Sequence, residues 1–140
     1  MKKIAAIILT LSMLCSITGS ANAGTNTTYS STANAAGKGT VTLPSATSRT
    51  ASATTFAYPT NSYGVINGVF VEVTLNYAYG NTLESISEYA GNDSNETSAT
   101  VTAPYMYIVA KSASGYHVYG AYNLLTYQGE SAQWTSYTTP

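Results

Sequence analysis

The chain has 140 residues, with 5 basic, 6 acidic and 1 histidine side chains, and 13 tyrosines against 2 phenylalanines and 1 tryptophan. Only 8% of residues are charged, so no basic stripe exists to hold nucleic acid or an anionic lipid surface. The length suits one domain with a single modest core.

Met1-Lys2-Lys3, an apolar run from Ile4 to Ile17, and Ala21-Asn22-Ala23 form the three parts of a secretory leader with cleavage expected after Ala23. The apolar run is too short to span a bilayer, and polar sequence follows it, so no membrane span is expected once the leader is removed. Cys15, the one cysteine, lies inside the leader. A chain starting at Gly24 therefore has no thiol for disulfides, thiolate-bound zinc or thiol catalysis. It keeps Lys38, Arg49 and Lys111 against six acidic residues, a net charge of −3.

Residues 24–37 are Ser, Thr, Asn, Ala and Gly with one aromatic, Tyr29, and are expected to be a flexible lead-in to a single β domain over 38–140. Thr40 to Leu43 alternates and stops at Pro44-Ser45, which reads as a first strand. Thr50 to Tyr58, closed by Pro59, reads as a second. From Asn67 to Tyr79 the chain has the clearest period of two. Val69, Val71, Val73, Leu75, Tyr77 and Tyr79 alternate with Phe70, Glu72, Thr74, Asn76 and Ala78, which predicts a half-buried central strand. Gly80-Asn81 suits a tight hairpin turn, and a two-residue turn there sets Leu75 opposite Ile86.

Residues 81–91 read as the returning strand. A helix is the alternative, since Asn81 and Glu84 resemble a capping box. A loop at 91–95 leads to a strand over Thr97 to Thr102, ended by Pro104. Tyr105 to Lys111 and Tyr116 to Tyr122 then read as a hairpin turning at Ser112 to Gly115. A symmetric turn pairs Lys111 with Tyr116, Val109 with Val118, Tyr107 with Gly120 and Tyr105 with Tyr122 on one face. Gln128-Gly129-Glu130 is a turn, and Gln133 to Tyr137 a last strand. About seven short strands imply an all-β fold, an antiparallel immunoglobulin-like sandwich or a small barrel.

Catalytic constellations are sparse, and the chain is expected not to be an enzyme. On a strand, Glu84 and Glu88 stand roughly 13 Å apart, beyond the roughly 5 to 9.5 Å of glycosidase carboxylates; a helix would bring them closer. A nucleophile–base–acid triad would have to use His117 with Asp93, and no nucleophile elbow is present. Asp93-x-Asn95-x-Thr97 begins like a calcium loop, but Ser98 replaces the turn glycine and Pro104 the bidentate glutamate. Asn92 to Asn95 then read as turn residues, and no metal or cofactor is expected. Three glycosylation acceptor patterns, at Asn26, Asn92 and Asn95, arise readily in so Ser/Thr-rich a chain.

The excess of tyrosine is the unusual feature, because a buried tyrosine needs a partner for its hydroxyl. Tyr105, Tyr107, Tyr116 and Tyr122, with Lys111, form the candidate binding platform, on which rings could stack on sugars. The competing reading makes the same face ordinary core or surface.

The leader, the run Thr97-Ser98-Ala99-Thr100-Val101-Thr102-Ala103-Pro104, and Ser114-Gly115-Tyr116-His117-Val118 leading to Trp134 resemble small secreted, Ser/Thr/Tyr-rich β proteins of Gram-positive bacteria. A looser resemblance is to lactococcin 972-like bacteriocins, secreted cysteine-free β-sandwiches, which are shorter and richer in His, Lys and Trp. The first resemblance implies fold and location only; the second would imply killing of related bacteria. Together these readings lead to a secreted, non-enzymatic β domain acting at or near the bacterial cell envelope by binding or self-association, with cell-wall polysaccharide or a second copy as partner.

Overall fold

The computed structural model describes residues 17–18 and 24–140. The expected leader, 1–23, thus lies outside the described residues except at Ile17–Thr18. The strands are β1 (Ile17–Thr18), β2 (Thr25–Ser31), β3 (Ala35–Thr42), β4 (Thr50–Pro59), β5 (Gly64–Tyr79), β6 (Thr82–Asn92), β7 (Glu96–Thr102), β8 (Val109–Asn123) and β9 (Gly129–Thr138). They form two antiparallel sheets packed as a sandwich, not closed into a barrel. Sheet A runs β1-β2-β3-β4-β7 and sheet B runs β6-β5-β8-β9.

The central strand is where alternation placed it. Val69, Val71, Val73, Leu75 and Tyr77 are buried and their neighbours face outward. Thr82 to Asn92 are strand, with Leu75 opposite Ile86 as the two-residue turn requires. Gly80 has φ of +59° and no non-glycine in that turn has a positive φ, so glycine at the first central position satisfies the turn.

Two expectations are overturned. Residues 24–37, expected as a flexible lead-in, are built into sheet A: Thr25 to Ser31 pair along their whole length with Ala36 to Thr42. Polar small residues suffice there because the backbone of β2 bonds along its length to β3, with only the two residues of β1 on its other side, and Gly24 N–H just before it reaches Thr139 O at 3.2 Å. The hairpin over 105–122 does not exist either. β8 runs straight through Ser112 to Gly115, paired with β5 on one side and β9 on the other. Gly115 faces the core. A Cβ on it would stand 2.7 Å from His117 Nε2 and 2.8 Å from Ser136 Oγ, so it is glycine for lack of room, not to turn the chain.

The core is asymmetric. Sheet A contributes mainly alanine and glycine inside, including Ala51, Ala53, Ala57, Gly37 and Gly39; sheet B contributes Val71, Val73, Leu75, His117, Tyr119 and Trp134. Large side chains from one layer fill the space left by small ones in the other. The ring of His117 lies where a Cβ on Gly39 would be, with Cγ 2.6 Å from that position.

Candidate functional site

The predicted platform does not assemble. Tyr105 and Tyr107 lie in the connection between β7 and β8, at one end of the sandwich. Tyr105 is stacked on Tyr79 at 3.9 Å and 6° and meets Tyr77 edge-on, while Tyr107 is 88% exposed. Lys111 is the extra residue of a bulge, because Asn76 pairs with Ser112 and Tyr77 with Ala110. It lines a depression of about 680 Å³ with Asn76, Leu83, Glu84 and Ser85. Tyr116 and Tyr122 do share the outer face of sheet B, but six strand residues, roughly 20 Å, separate them.

Tyr116 instead joins residues from β5 and β6. On the outer face of sheet B, Glu72 lies between Tyr89 and Tyr116, and Phe70 between Gly91 and Val118. The Phe70 ring stacks on Tyr89 at 6.0 Å and 27° and meets Tyr116 edge-on at 6.5 Å. Tyr89 is 74% exposed. The result is a stripe of three rings across three strands, edged by polar groups. The Tyr116 hydroxyl donates to Gln133 Oε1 at 2.7 Å, and the Thr74 and Ser87 hydroxyls are 2.7 Å apart.

Beside the stripe the face drops into a depression of about 400 Å³, whose wall includes Phe70 and Val118 and whose rim includes Asn67, Asn92 and Asp93. Gly68 and Gly120 stand opposite each other beneath it, so neither of these two positions adds a side chain of its own. Asn67 is the bulged residue between Ile66 and Gly68, and its side-chain amide lies over Gly120. Asp93 Oδ1 approaches Gly68 from the β6–β7 loop, 4.0 Å from where a Cβ would be. Asn92 is committed to the loop itself: its Oδ1 accepts from Ser94 N at 2.9 Å, and its Nδ2 donates to Glu96 O at 2.8 Å.

No family model, curated protein or solved structure matches this chain. The chemistry must therefore be read from the face itself. An aromatic stripe beside a hollow with an apolar wall and an amide–carboxylate rim presents ring surfaces to C–H groups and acceptors to hydroxyls.

The other candidates resolve differently. His117 is fully buried. Thr55 Oγ1 donates to Phe70 O at 2.9 Å and so accepts from His117 Nδ1–H at 2.8 Å; His117 Nε2 then accepts from Ser136 Oγ–H at 2.7 Å. The order Ser–His–Thr has the connectivity of a triad, yet Ser136 and Thr55 are buried with it, and Trp134 stacks on the imidazole at 5.3 Å. Burial pushes the His117 pKa down to about 4. No substrate can reach this chain of hydrogen bonds, and Asp93 is not part of it. Glu84 lies on a strand, as expected, and accepts from the Tyr77 hydroxyl at 2.9 Å.

Sequence reasoning missed Phe70, Tyr89, Asn67, Asp93 and the pairing of Gly68 with Gly120. Part of the signal was present, because alternation put Phe70 and Glu72 on the face opposite Val69 and Val71. The β5–β6 register already implied Tyr89 opposite Glu72.

Proposed function

We propose that this chain is an exported, non-enzymatic binding domain that works at or near the cell envelope and takes a carbohydrate on the outer face of sheet B. The observation that carries this reading is the juxtaposition of the Tyr89–Phe70–Tyr116 stripe with the hollow beside Gly68, which Phe70, Val118, Asn67 and Asp93 line. A pyranose presents an apolar C–H face and a ring of equatorial hydroxyls, and this site offers the complement of each: rings below, and Asn67, Asp93, Glu72 and Gln133 around. Export rests on the leader. The non-enzymatic reading rests on the burial of the one histidine, which removes the best general base from reach.

The test is co-sedimentation of the chain from Gly24 to Pro140 with peptidoglycan and insoluble polysaccharides. The parent is expected to bind at least one of them. Phe70→Ala/Tyr116→Ala should weaken binding by about tenfold or more while the protein stays folded, since central aromatic anchors dominate such interfaces. Tyr107→Ala/Lys111→Ala should leave it unchanged. Absence of binding to every carbohydrate, or equal binding by the Phe70/Tyr116 variant, would overturn the reading.

A further inference from the structure

Sheet edges carry unpaired N–H and C=O groups, and three of the four long edge strands are guarded against pairing with another chain. β6 turns Glu84 and Glu88 toward the inner side, β7 begins at Glu96, and β9 carries Glu130, charges of the kind that discourage edge-to-edge association. β2, Thr-Asn-Thr-Thr-Tyr-Ser-Ser, has neither a charge nor a proline. Its free edge accepts a strand in the structure itself. Ile17–Thr18 pairs antiparallel there, Ile17 opposite Tyr29 and Thr18 opposite Thr28. A chain that begins at Gly24 leaves that edge open.

Thr28 supplies an independent observation. It is the middle residue of β2, it is 5% exposed with Thr18 of β1 opposite it, and its hydroxyl has no hydrogen-bond partner among the described residues. A buried hydroxyl left unpaired is costly and asks for a partner.

We propose that the β2 edge is a self-association surface whose occupant is β2 of a second copy, joined antiparallel about a two-fold axis through Thr28. All seven residues then pair. Thr28 faces Thr28, Thr27 of one copy faces Tyr29 of the other, and Asn26 faces Ser30. The two orphan hydroxyls meet across the axis at the separation of directly opposed side chains, where Thr–Thr hydrogen bonds form. Two four-stranded sheets become one of eight, and the isologous contact closes as a dimer. The strand is held for this role within its own chain: Asn26 Nδ2 donates to Tyr137 O at 2.7 Å, and the Thr27 and Thr40 hydroxyls are 3.1 Å apart. The contact lies on sheet A, away from the aromatic stripe, so both surfaces can be occupied together. Seven residues of edge fall at the small end of specific interfaces, which makes the association weak and concentration-dependent.

Sedimentation equilibrium on the chain from Gly24 to Pro140 tests this. That chain contains strands β2 to β9 and, among the described residues, the buried hydrophobic residues from Ala35 to Trp134, and its circular dichroism verifies that it is folded. The parent should show a monomer–dimer equilibrium. Thr27→Glu/Tyr29→Glu sets like charges opposite each other across the axis and should raise the dissociation constant by about tenfold or more; Thr27→Lys/Tyr29→Glu sets opposite charges there and should return it to within about threefold of the parent. Both positions face outward, and unchanged circular dichroism confirms that the variants are folded. A parent that stays monomeric at the highest concentration, or two variants with equal dissociation constants, overturns the proposal.

Discussion

The buried histidine makes this protein sensitive to acid in a calculable way. His117 has lost its water shell and faces only neutral groups, Thr55, Ser136 and Trp134, which holds its pKa at about 4 against an ordinary 6.5. Above pH 6.5 neither the folded nor the unfolded chain protonates it, and its contribution to stability is intact. As the pH falls from 6.5 the unfolded chain takes the proton and the folded chain does not, so stability drains away until the folded imidazole also titrates near pH 4. Each unit of pKa difference is about 1.4 kcal/mol, which makes the total loss about 3 kcal/mol. That is a large part of the stability of a domain this size.

The assay is urea unfolding across this pH window for the parent and for His117→Gln, which keeps a polar side chain but cannot titrate. At neutral pH the variant should be less stable by about 1–3 kcal/mol, having lost fitted hydrogen bonds. Near pH 4 that gap should shrink by about 3 kcal/mol, closing or reversing. A gap that stays constant across the window would falsify the assignment of acid sensitivity to His117.

Other consequences follow from single contacts. Gly39→Ala drives a methyl group into the His117 ring and should cost about 1–3 kcal/mol or more, read as a lower urea midpoint with an unchanged slope. Glu130 accepts from Asn34 N at 2.9 Å, from Asn34 Nδ2 at 3.1 Å and from the Thr32 hydroxyl, tying the β2–β3 turn to β9. Glu130→Ala leaves those donors unpaired and should cost about 1–3 kcal/mol in the same measurement. Tyr127 holds φ of +54° and is 83% exposed. Tyr127→Gly should therefore raise stability slightly, by up to about 1 kcal/mol, and a thermal midpoint that falls instead would show that the ring makes a contact worth more than the strain.

The aromatic stripe and the edge of β2 imply separate behaviours. Carbohydrate binding should survive substitutions at Thr27 and Tyr29, and dimerisation should survive Phe70→Ala/Tyr116→Ala. If both hold, a dimer would present two sugar faces and raise avidity on an insoluble polymer without any new contact.

The all-β sandwich, the central strand, its inner and outer faces and the Gly80-Asn81 turn were legible in the residues, because alternation and turn chemistry are local and a period of two encodes which side chains share a face. The same locality misled at Ser112 to Gly115. Four small residues look like a turn, whereas tertiary packing required them to be small: Gly115 lies beside His117 and Ser136, and Ala113 faces the core. Residues 24–31 looked unstructured because a strand needs little apolar surface of its own when a neighbour, here β3, satisfies its backbone. The candidate site was half legible. Phe70, Glu72 and Tyr89 follow from alternation and one hairpin register, but Tyr116 joins them only through the pairing of β5 with β8, strands separated in sequence by β6 and β7. The bulges at Asn67 and Lys111 shift the phase of side chains along that pairing, and no local pattern announces them. Sequence thus determined what each strand shows to either side, and only the tertiary structure decided which strands lie side by side, because that choice belongs to packing between layers and not to any segment alone.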